Sequence, residues 1–289
     1  MTSVEVRHTT IYRYRRLVSL GEHVLLTRPR DSHEIRLIKA KLQSSPDAKT
    51  TWSFDVFGNC IGRMSFFAPA QTLEISSTLL LDIYAPEWPI FSIRLDAQNY
   101  PFQYSSDEIV DLGAFRNLQY ADPGKQLGAW AKRFIRGRFT DTLSLLQDIN
   151  AGISSSVRYQ SRDEEGTQGP LQTLARGWGS CRDYAVLLAE AVRSLGFGAR
   201  LVTGYLHVAG GSLIGGGSTH AWVEIYVPGA GWVAFDPTNR TMGGAHLIPV
   251  AVGRNISQIV PVAGTFTGVP DDMIGMDVNV SVVEVKAAT

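Results

Sequence analysis

Three side chains in the second half of the chain carry the groups of nucleophilic acyl chemistry: Cys181, His220 and Asp236. Cys181 lies in Gly177–Tyr184, where Ser180 precedes Asp183 by three residues, the spacing of a helix capping box. The apolar run Tyr184–Leu195 predicts a mostly buried helix, closed by Gly196 in the C′ position. Cys181 therefore falls in a first helical turn, where the macrodipole and unpaired N–H groups favour thiolate. The same N–H groups can hold an oxyanion. In Thr219–Val227, period-two alternation puts His220, Trp222, Glu224 and Tyr226 on one strand face. Gly231–Thr238 reads as a second strand, joined to the first by a hairpin loop at Pro228–Gly231. Asp236 then ends the second strand beside the start of the first. A carboxylate on an imidazole fixes its tautomer and stabilises the imidazolium, and the imidazole activates the thiol. For His220 and Asp236 to share a face, paired residue numbers must sum to an even number. Tyr226 opposite Trp232 satisfies this and makes His220 the diagonal neighbour of Asp236.

The rest of the chain must supply the frame. The first third reads as β: Val4–Tyr12, Ile35–Leu42, Thr51–Val56 and Thr72–Tyr84 alternate or are rich in β formers, with a turn at Phe57–Asn59. Strands at this spacing predict an antiparallel, sandwich-like domain over 1–105. Pro86, Pro89 and Pro101 then interrupt regular structure. Helices are predicted after Asp122-Pro123, with Leu127, Trp130, Ala131 and Phe134 at helical spacing, and after Asp141, with Leu145, Ile149 and Ile153. Strand patterns return from Gly204. The segments Ser161–Pro170 and Gly210–Gly217 read as surface loops, the second glycine-rich without a P-loop Lys-Ser/Thr. The expected fold class is α+β, with 106–289 forming a core of helices packed on an antiparallel sheet and a C-terminal strand extension.

Composition narrows the function. The 289 residues carry 27 Lys+Arg and 27 Asp+Glu, a net charge of zero, which argues against nucleic acid as a partner. Arg13, Arg15 and Arg16 are one candidate for a local basic patch. At 44% hydrophobic and 19% charged residues the chain has an ordinary globular balance. No apolar run reaches the roughly 18 residues of a membrane helix, and the N-terminus lacks the apolar core of a signal peptide. Two cysteines, Cys60 and Cys181, make no disulfide framework, so a reducing, cytoplasmic compartment is expected. No CxxC or HxxxH spacing supports a metal, and no cofactor is expected. Cys60, His207 and His246 read as structural, Asp183 as a capping acid, and Trp222 and Trp232 as core or cleft wall.

The segments around the three reactive groups carry a resemblance. Gln168–Pro170, Thr173-Leu174, Gly179–Ala185, Val202–Tyr205, Thr219–Glu224, Gly231-Trp232 and Phe235–Thr238 are similar to motifs of the transglutaminase-like superfamily, in its bacterial cysteine-peptidase-like branch. His8–Thr10 with Tyr12, and Asp55–Asn59, resemble the β domain that precedes the core in that branch. Gly253-Arg254, Gly264–Gly268 and a final strand to Val285 resemble its C-terminal extension. The resemblance covers most of the chain. It implies a papain-like core with Cys181 as nucleophile, His220 as general base and acid, and Asp236 as orienting carboxylate. It also places Gln168, Trp178 and Trp222 as candidate substrate-side or oxyanion contacts. No acidic loop of EF-hand type is present, a departure from calcium-activated animal transglutaminases.

The expected activity is cysteine-dependent acyl transfer on a peptide or protein substrate through a thioester. Hydrolysis is expected over amine transfer, because the polar loops Ser161–Gly169 and Ala209–Ser218 adjoin the site and admit water. The alternatives are cross-linking to an amine acceptor and a non-catalytic protein-binding module. Sequence leaves the oligomeric state open.

Overall fold

The computed structural model describes residues 1–162, 166–207, 213–215 and 217–285. The expected loops Ser161–Pro170 and Gly210–Gly217 lie partly outside these residues.

The N-terminal sheet is built on one long strand, β1 (Thr2–Arg28). The sequence predicts only its start, because Arg13, Arg15, Arg16 and Gly21 break the alternation. Register shifts near Arg13 and Leu20 bend β1 at these positions while pairing continues. Four strands follow it: β2 (Ile35–Ser45), β3 (Ala48–Phe54), β4 (Cys60–Phe66) and β5 (Ala70–Ile83). Their order is β2-β5-β1-β4-β3. The first part of β1 pairs with β5 and its last part with β4, so the sheet curls and its two halves face each other. Tyr12, Leu73 and Ile75 from one half and Leu25 and Met64 from the other fill the space between them. This is the sandwich-like arrangement that alternation predicts.

The middle of the chain is helical: α1 (Ser106–Leu112), α2 (Gln126–Lys132), α3 (Thr142–Ser156), α4 (Pro170–Arg176) and α5 (Cys181–Ser194). The start of α2 differs from expectation. Asp122–Lys125 forms a turn, with Lys125 at φ 51°, and the helix begins only at Gln126. Asp122 still satisfies the first turn, accepting from the N–H groups of Gln126, Leu127 and Gly128. Asp141 caps α3 as predicted, through the Ser144 N–H.

A second antiparallel sheet holds β6 (Ala199–Leu206), β7 (His220–Val227), β8 (Gly231–Asp236) and β9 (Leu247–Gly253). Its order is β8-β7-β6-β9, with Thr241-Met242 on the outer edge of β8. Strand β6 starts five residues before the predicted return of β structure. Seven of its eight residues are buried, so no alternation marks its start. Helix α5, buried without interruption from Asp183 to Arg193, packs on β6 and β7. Within it Glu190 and Arg193 form a buried ion pair that also binds the main chain at Gln119, Tyr120, Ala199 and Arg254.

The tail returns to the first sheet. β10 (Val262–Thr267) and β11 (Met273–Glu284) both pair with β1. They bring acids to the arginine cluster: Arg13 pairs with Asp277 and Arg16 with Asp272, while Arg15 donates to the Asp271 carbonyl. The candidate basic patch is thus neutralised by residues more than 250 positions away.

The two sheets share apolar surface, with Val4, Val6, Leu79 and Leu81 packed with Tyr205, Ile248 and Val250. Buried Asn59 closes the exposed edge of β9. Its Nδ2 donates to the Val252 carbonyl at 2.7 Å and its Oδ1 accepts the Val252 N–H at 2.8 Å. Asn59→Ala strands both groups of Val252, and the expected loss is about 1–3 kcal/mol of unfolding free energy. Urea denaturation, with hydrogen exchange at the Val252 amide, measures it; an unchanged exchange rate would show that the contact does not secure the edge.

Candidate active site

Local sequence places each reactive group. Ser180 and Asp183 start α5 through the Asp183 carboxylate, which accepts the Ser180 N–H at 2.8 Å and its hydroxyl at 3.0 Å. Asp183 is fully buried and also binds the Gln168 N–H at 2.7 Å and Arg162 at 3.0 Å. It thereby ties the segment before the cysteine helix to the helix start, as a structural acid. Cys181 is the first residue of α5 and is partly exposed. Gly196, at φ 97°, ends the helix as expected.

The β7–β8 hairpin has the predicted register, with Tyr226 opposite Trp232 and Val223 opposite Phe235. His220 and Asp236 come together, Nε2 to Oδ2, at 2.8 Å, and both are buried. The remaining imidazole nitrogen, Nδ1, is buried with no hydrogen-bond partner among the described residues, and the Cys181 thiol interacts electrostatically with the ring. Burial pushes the Cys181 thiol up, but His220, the Ala221 N–H and Arg182 outweigh it, and its pKa is lowered. Burial disfavours the His220 imidazolium as well; Asp236 and then Cys181 override this and push its pKa up to about 10. Asp236 is lowered, because His220, Asn239 and the Thr238 N–H together exceed the cost of burial. The arrangement favours a thiolate–imidazolium pair around neutral pH.

Two residues near the site carry no signal of their own in the sequence. Asn239 donates to Asp236 Oδ2 at 2.8 Å. The same carboxamide holds the Ile214 main chain, accepting its N–H at 2.8 Å and donating to its carbonyl at 3.2 Å. This sets Gly215, at φ 100°, over the imidazole, where a Cβ would lie 3.0 Å from His220 Nδ1. Tyr159 is the other: its phenol interacts electrostatically with Cys181 and Asp236.

The three residues expected as substrate-side contacts are placed differently from one another. Gln168 is buried, and its Nε2 donates to the Trp178 carbonyl at 3.2 Å and to Asp183 at 3.3 Å, so that amide is engaged in the scaffold. Trp222 is 1% exposed and stacks behind the imidazole at 6.1 Å. Its ring lies over Gly204, where a Cβ would come within 2.7 Å of it. Trp178 is only partly buried, with Arg176 over its ring at 5.7 Å. Among the described residues, no three His, Cys, Asp or Glu side chains gather as a metal site.

This fold and these motifs define a class. Residues 128–237 match the transglutaminase-like superfamily core, and the chain belongs to that superfamily. Residues 4–82 match the bacterial transglutaminase-like N-terminal region, so it carries the bacterial form with a β domain ahead of the core. An uncharacterized protein of Mycobacterium tuberculosis is 26% identical over 293 residues, 95% of this chain and 91% of its own. The fold also matches the crystal structure of a candidate cysteine protease from Cytophaga hutchinsonii, with TM-score 0.75 and 19% identity over 100% of this chain and 92% of that one. A Pseudomonas aeruginosa protein-glutamine gamma-glutamyltransferase is 40% identical over 68 residues, 21% of this chain and 10% of that protein.

The protonation pattern has a direct readout. Cys181 is lowered and Cys60 is raised by burial, with Arg28 only partly opposing. Iodoacetamide at neutral pH should therefore alkylate Cys181 first. The Cys181 rate should rise as pH climbs through the lowered thiol pKa and stay level until the imidazolium is lost near pH 10. His220→Ala should slow the neutral-pH reaction about tenfold or more. Equal rates for the two cysteines by peptide mass spectrometry would remove the thiolate assignment.

Proposed function

We propose that this chain is a cysteine-dependent acyl-transfer enzyme that hydrolyses peptide or amide bonds in a peptide or protein substrate. The observation that carries the reading is the buried imidazole with a carboxylate on its Nε2, next to a thiol whose pKa that imidazole lowers. In this mechanism Cys181 attacks the carbonyl carbon as thiolate. His220 gives its proton to the leaving amine as the C–N bond breaks, which leaves a thioester on Cys181. Water then adds to the thioester with His220 as base, and the thiolate leaves with the acid released. Asp236 keeps the imidazole oriented and stabilises its charged form throughout. A non-catalytic binding module would not need this lowered thiol.

Amine transfer is the second reading, favoured by the short match to a glutamine gamma-glutamyltransferase. The placement of the tryptophans supports hydrolysis. Transfer calls for a dry, aromatic-walled approach to the thioester. Trp222 is packed behind His220, and Trp232 lies four residues from Asp236 along β8, roughly 13 Å away at strand rise. There Trp232 packs with Phe115 and Tyr226 under Arg200. Only Trp178 is left to face an acyl group. The two free cysteines are in keeping with a reducing compartment, the cytoplasm in this proposal.

The test supplies a glutamine- or peptide-based acyl donor with and without a primary amine. Free acid as the main product, lost in Cys181→Ala, is expected; amide as the main product at modest amine concentration would overturn hydrolysis in favour of transfer. Asp236→Ala should lower turnover by about 10²–10⁴-fold with the fold retained.

A further inference from the structure

The curled N-terminal sheet does not close. Only Pro46-Asp47 joins β2 to β3, the length of a tight hairpin loop, yet among the described residues β2 pairs only with β5 and β3 only with β4. The two strands are the ends of the sheet. Along residues 39–45 and Ala48–Phe54 their outer edges carry N–H and C=O groups with no partner among the described residues. A cavity of about 260 Å³ opens between the two edges. It touches Ala40, Lys41 and Leu42 in succession. Successive side chains of a strand point to opposite faces, so such a run places the cavity at the edge of β2 and not over one face. Across it stand Thr50 and Trp52 of β3, and Arg28 at the end of β1. Trp52 lies over Gly62, where a Cβ would come within 3.1 Å of its ring, and the Arg28 guanidinium stands 5.8 Å from its centroid. The indole is nonetheless 46% exposed. No acid lines the cavity. Arg7, Arg13, Arg16 and Arg63 of the same sheet each pair with a carboxylate. Arg28, Lys41 and Lys39, which shares the outer face of β2 with Lys41, have none within ion-pair distance among the described residues. In a chain of zero net charge this is a local excess of positive charge.

We propose that the seam between β2 and β3 is a docking site for an extended peptide segment of another protein, alternating acidic and apolar residues, which adds as a strand to the outer edge of β2. The inference lies outside the acyl chemistry and holds whether or not Cys181 reacts. The edge supplies main-chain donors and acceptors along the segment, and its surroundings select the side chains. Alternation divides the work. Acidic side chains lie on the outside beside Lys39 and Lys41, which are exposed; apolar ones turn inward with Ala40 and Leu42, toward the cavity and the uncovered indole. Lysines on an edge strand commonly repel other strands. Here a cavity and an exposed aromatic ring lie behind them, which repulsion does not require. A second copy of this chain fits the edge poorly, because two β2 edges would set lysines against lysines. A nucleic-acid strand would meet the cations but not the edge, since its phosphates only accept and leave the outward C=O groups without donors.

The probe is a fluorescein-labelled peptide alternating Glu and Val, as long as the 39–45 edge, added to the full-length chain. Binding, read by fluorescence anisotropy, should be lost when Lys replaces Glu in the peptide and should weaken as salt is raised. Hydrogen exchange should slow at alternate amides of residues 39–45, those that do not already pair with β5. N-methylation of one alternate set of peptide amides should abolish binding, and of the other set leave it, because an added strand offers one edge to β2. Lys41→Glu should weaken binding about tenfold with an unchanged far-UV circular dichroism spectrum. The N-methylated peptides test the same contact on the unaltered chain, whatever Lys41→Glu does to folding. No anisotropy change with the acidic peptide would overturn the proposal. So would binding that ignores N-methylation and slows no exchange in β2, which is charge attraction alone. Equal displacement of the peptide by a single-stranded oligonucleotide would overturn it in favour of nucleic acid. Sedimentation of the free chain as a dimer that the peptide dissociates would overturn it in favour of a second copy.

Discussion

The contact between His220 and Asp236 sets the demands that the rest of the core meets. Taking an imidazolium and a carboxylate out of water costs several kcal/mol per ion unless the partners and their remaining atoms are all satisfied. Here the geometry leaves little slack. The carboxylate is held by the imidazole, the Asn239 carboxamide and the Thr238 N–H. The pair exists only because β7 and β8 meet in an even register, which the three-residue connection Pro228–Ala230 sets without a bulge. A slip of one residue would turn Asp236 to the opposite face. Trp222 braces the ring from behind, and glycine at 204 makes room for that indole.

The thiol arrives from a separate element, and Asp183 fixes its position. One buried carboxylate ends the orphan state of the Ser180 N–H and gathers Gln168 and Arg162 onto the start of α5. The other end of the helix is held by the Glu190–Arg193 pair, which reaches the Phe115, Ala199 and Arg254 carbonyls. Helix α5 is therefore pinned at both ends by charges that take no part in bond making. Such pinning suits a reaction that needs sulfur and nitrogen in fixed relation.

Much of this was legible before any coordinates, and the reasons are local. Cys181 declared itself through a capping pattern, and His220 and Asp236 through alternation and a short loop, all within segments of about ten residues. Tyr159 and Asn239 escaped because a tyrosine after a helix and an asparagine in a turn have common structural uses. Only the pairing of Tyr159 with Gly179, and the reach of Asn239 to Ile214, show otherwise. The role of Gln168 in the scaffold could not be read from the sequence either, because the resemblance that singles it out says nothing of where its amide spends its hydrogen bonds. The first strand was cut short for a related reason. Arg13 and Arg16 look like the end of a strand, and their compensating acids stand at the far end of the chain. The buried start of β6 offered no periodicity to read.

The architecture of β1 bears on how the chain is made. Its first half is flanked by β5 on one side and β11 on the other, so Val4 pairs with both Leu81 and Glu284. On the ribosome, β5 emerges soon after β1, but the second flank waits for nearly the whole remaining sequence. Until then an alternating, apolar-faced strand offers a row of unpaired N–H and C=O groups, a template for any passing strand. Its charged stretch at Arg13–Arg16 lacks its acids over the same interval and so repels copies of itself. The arginines that end up neutralised in the finished protein would thus guard the open edge during synthesis, when the polypeptide is most exposed to aggregation.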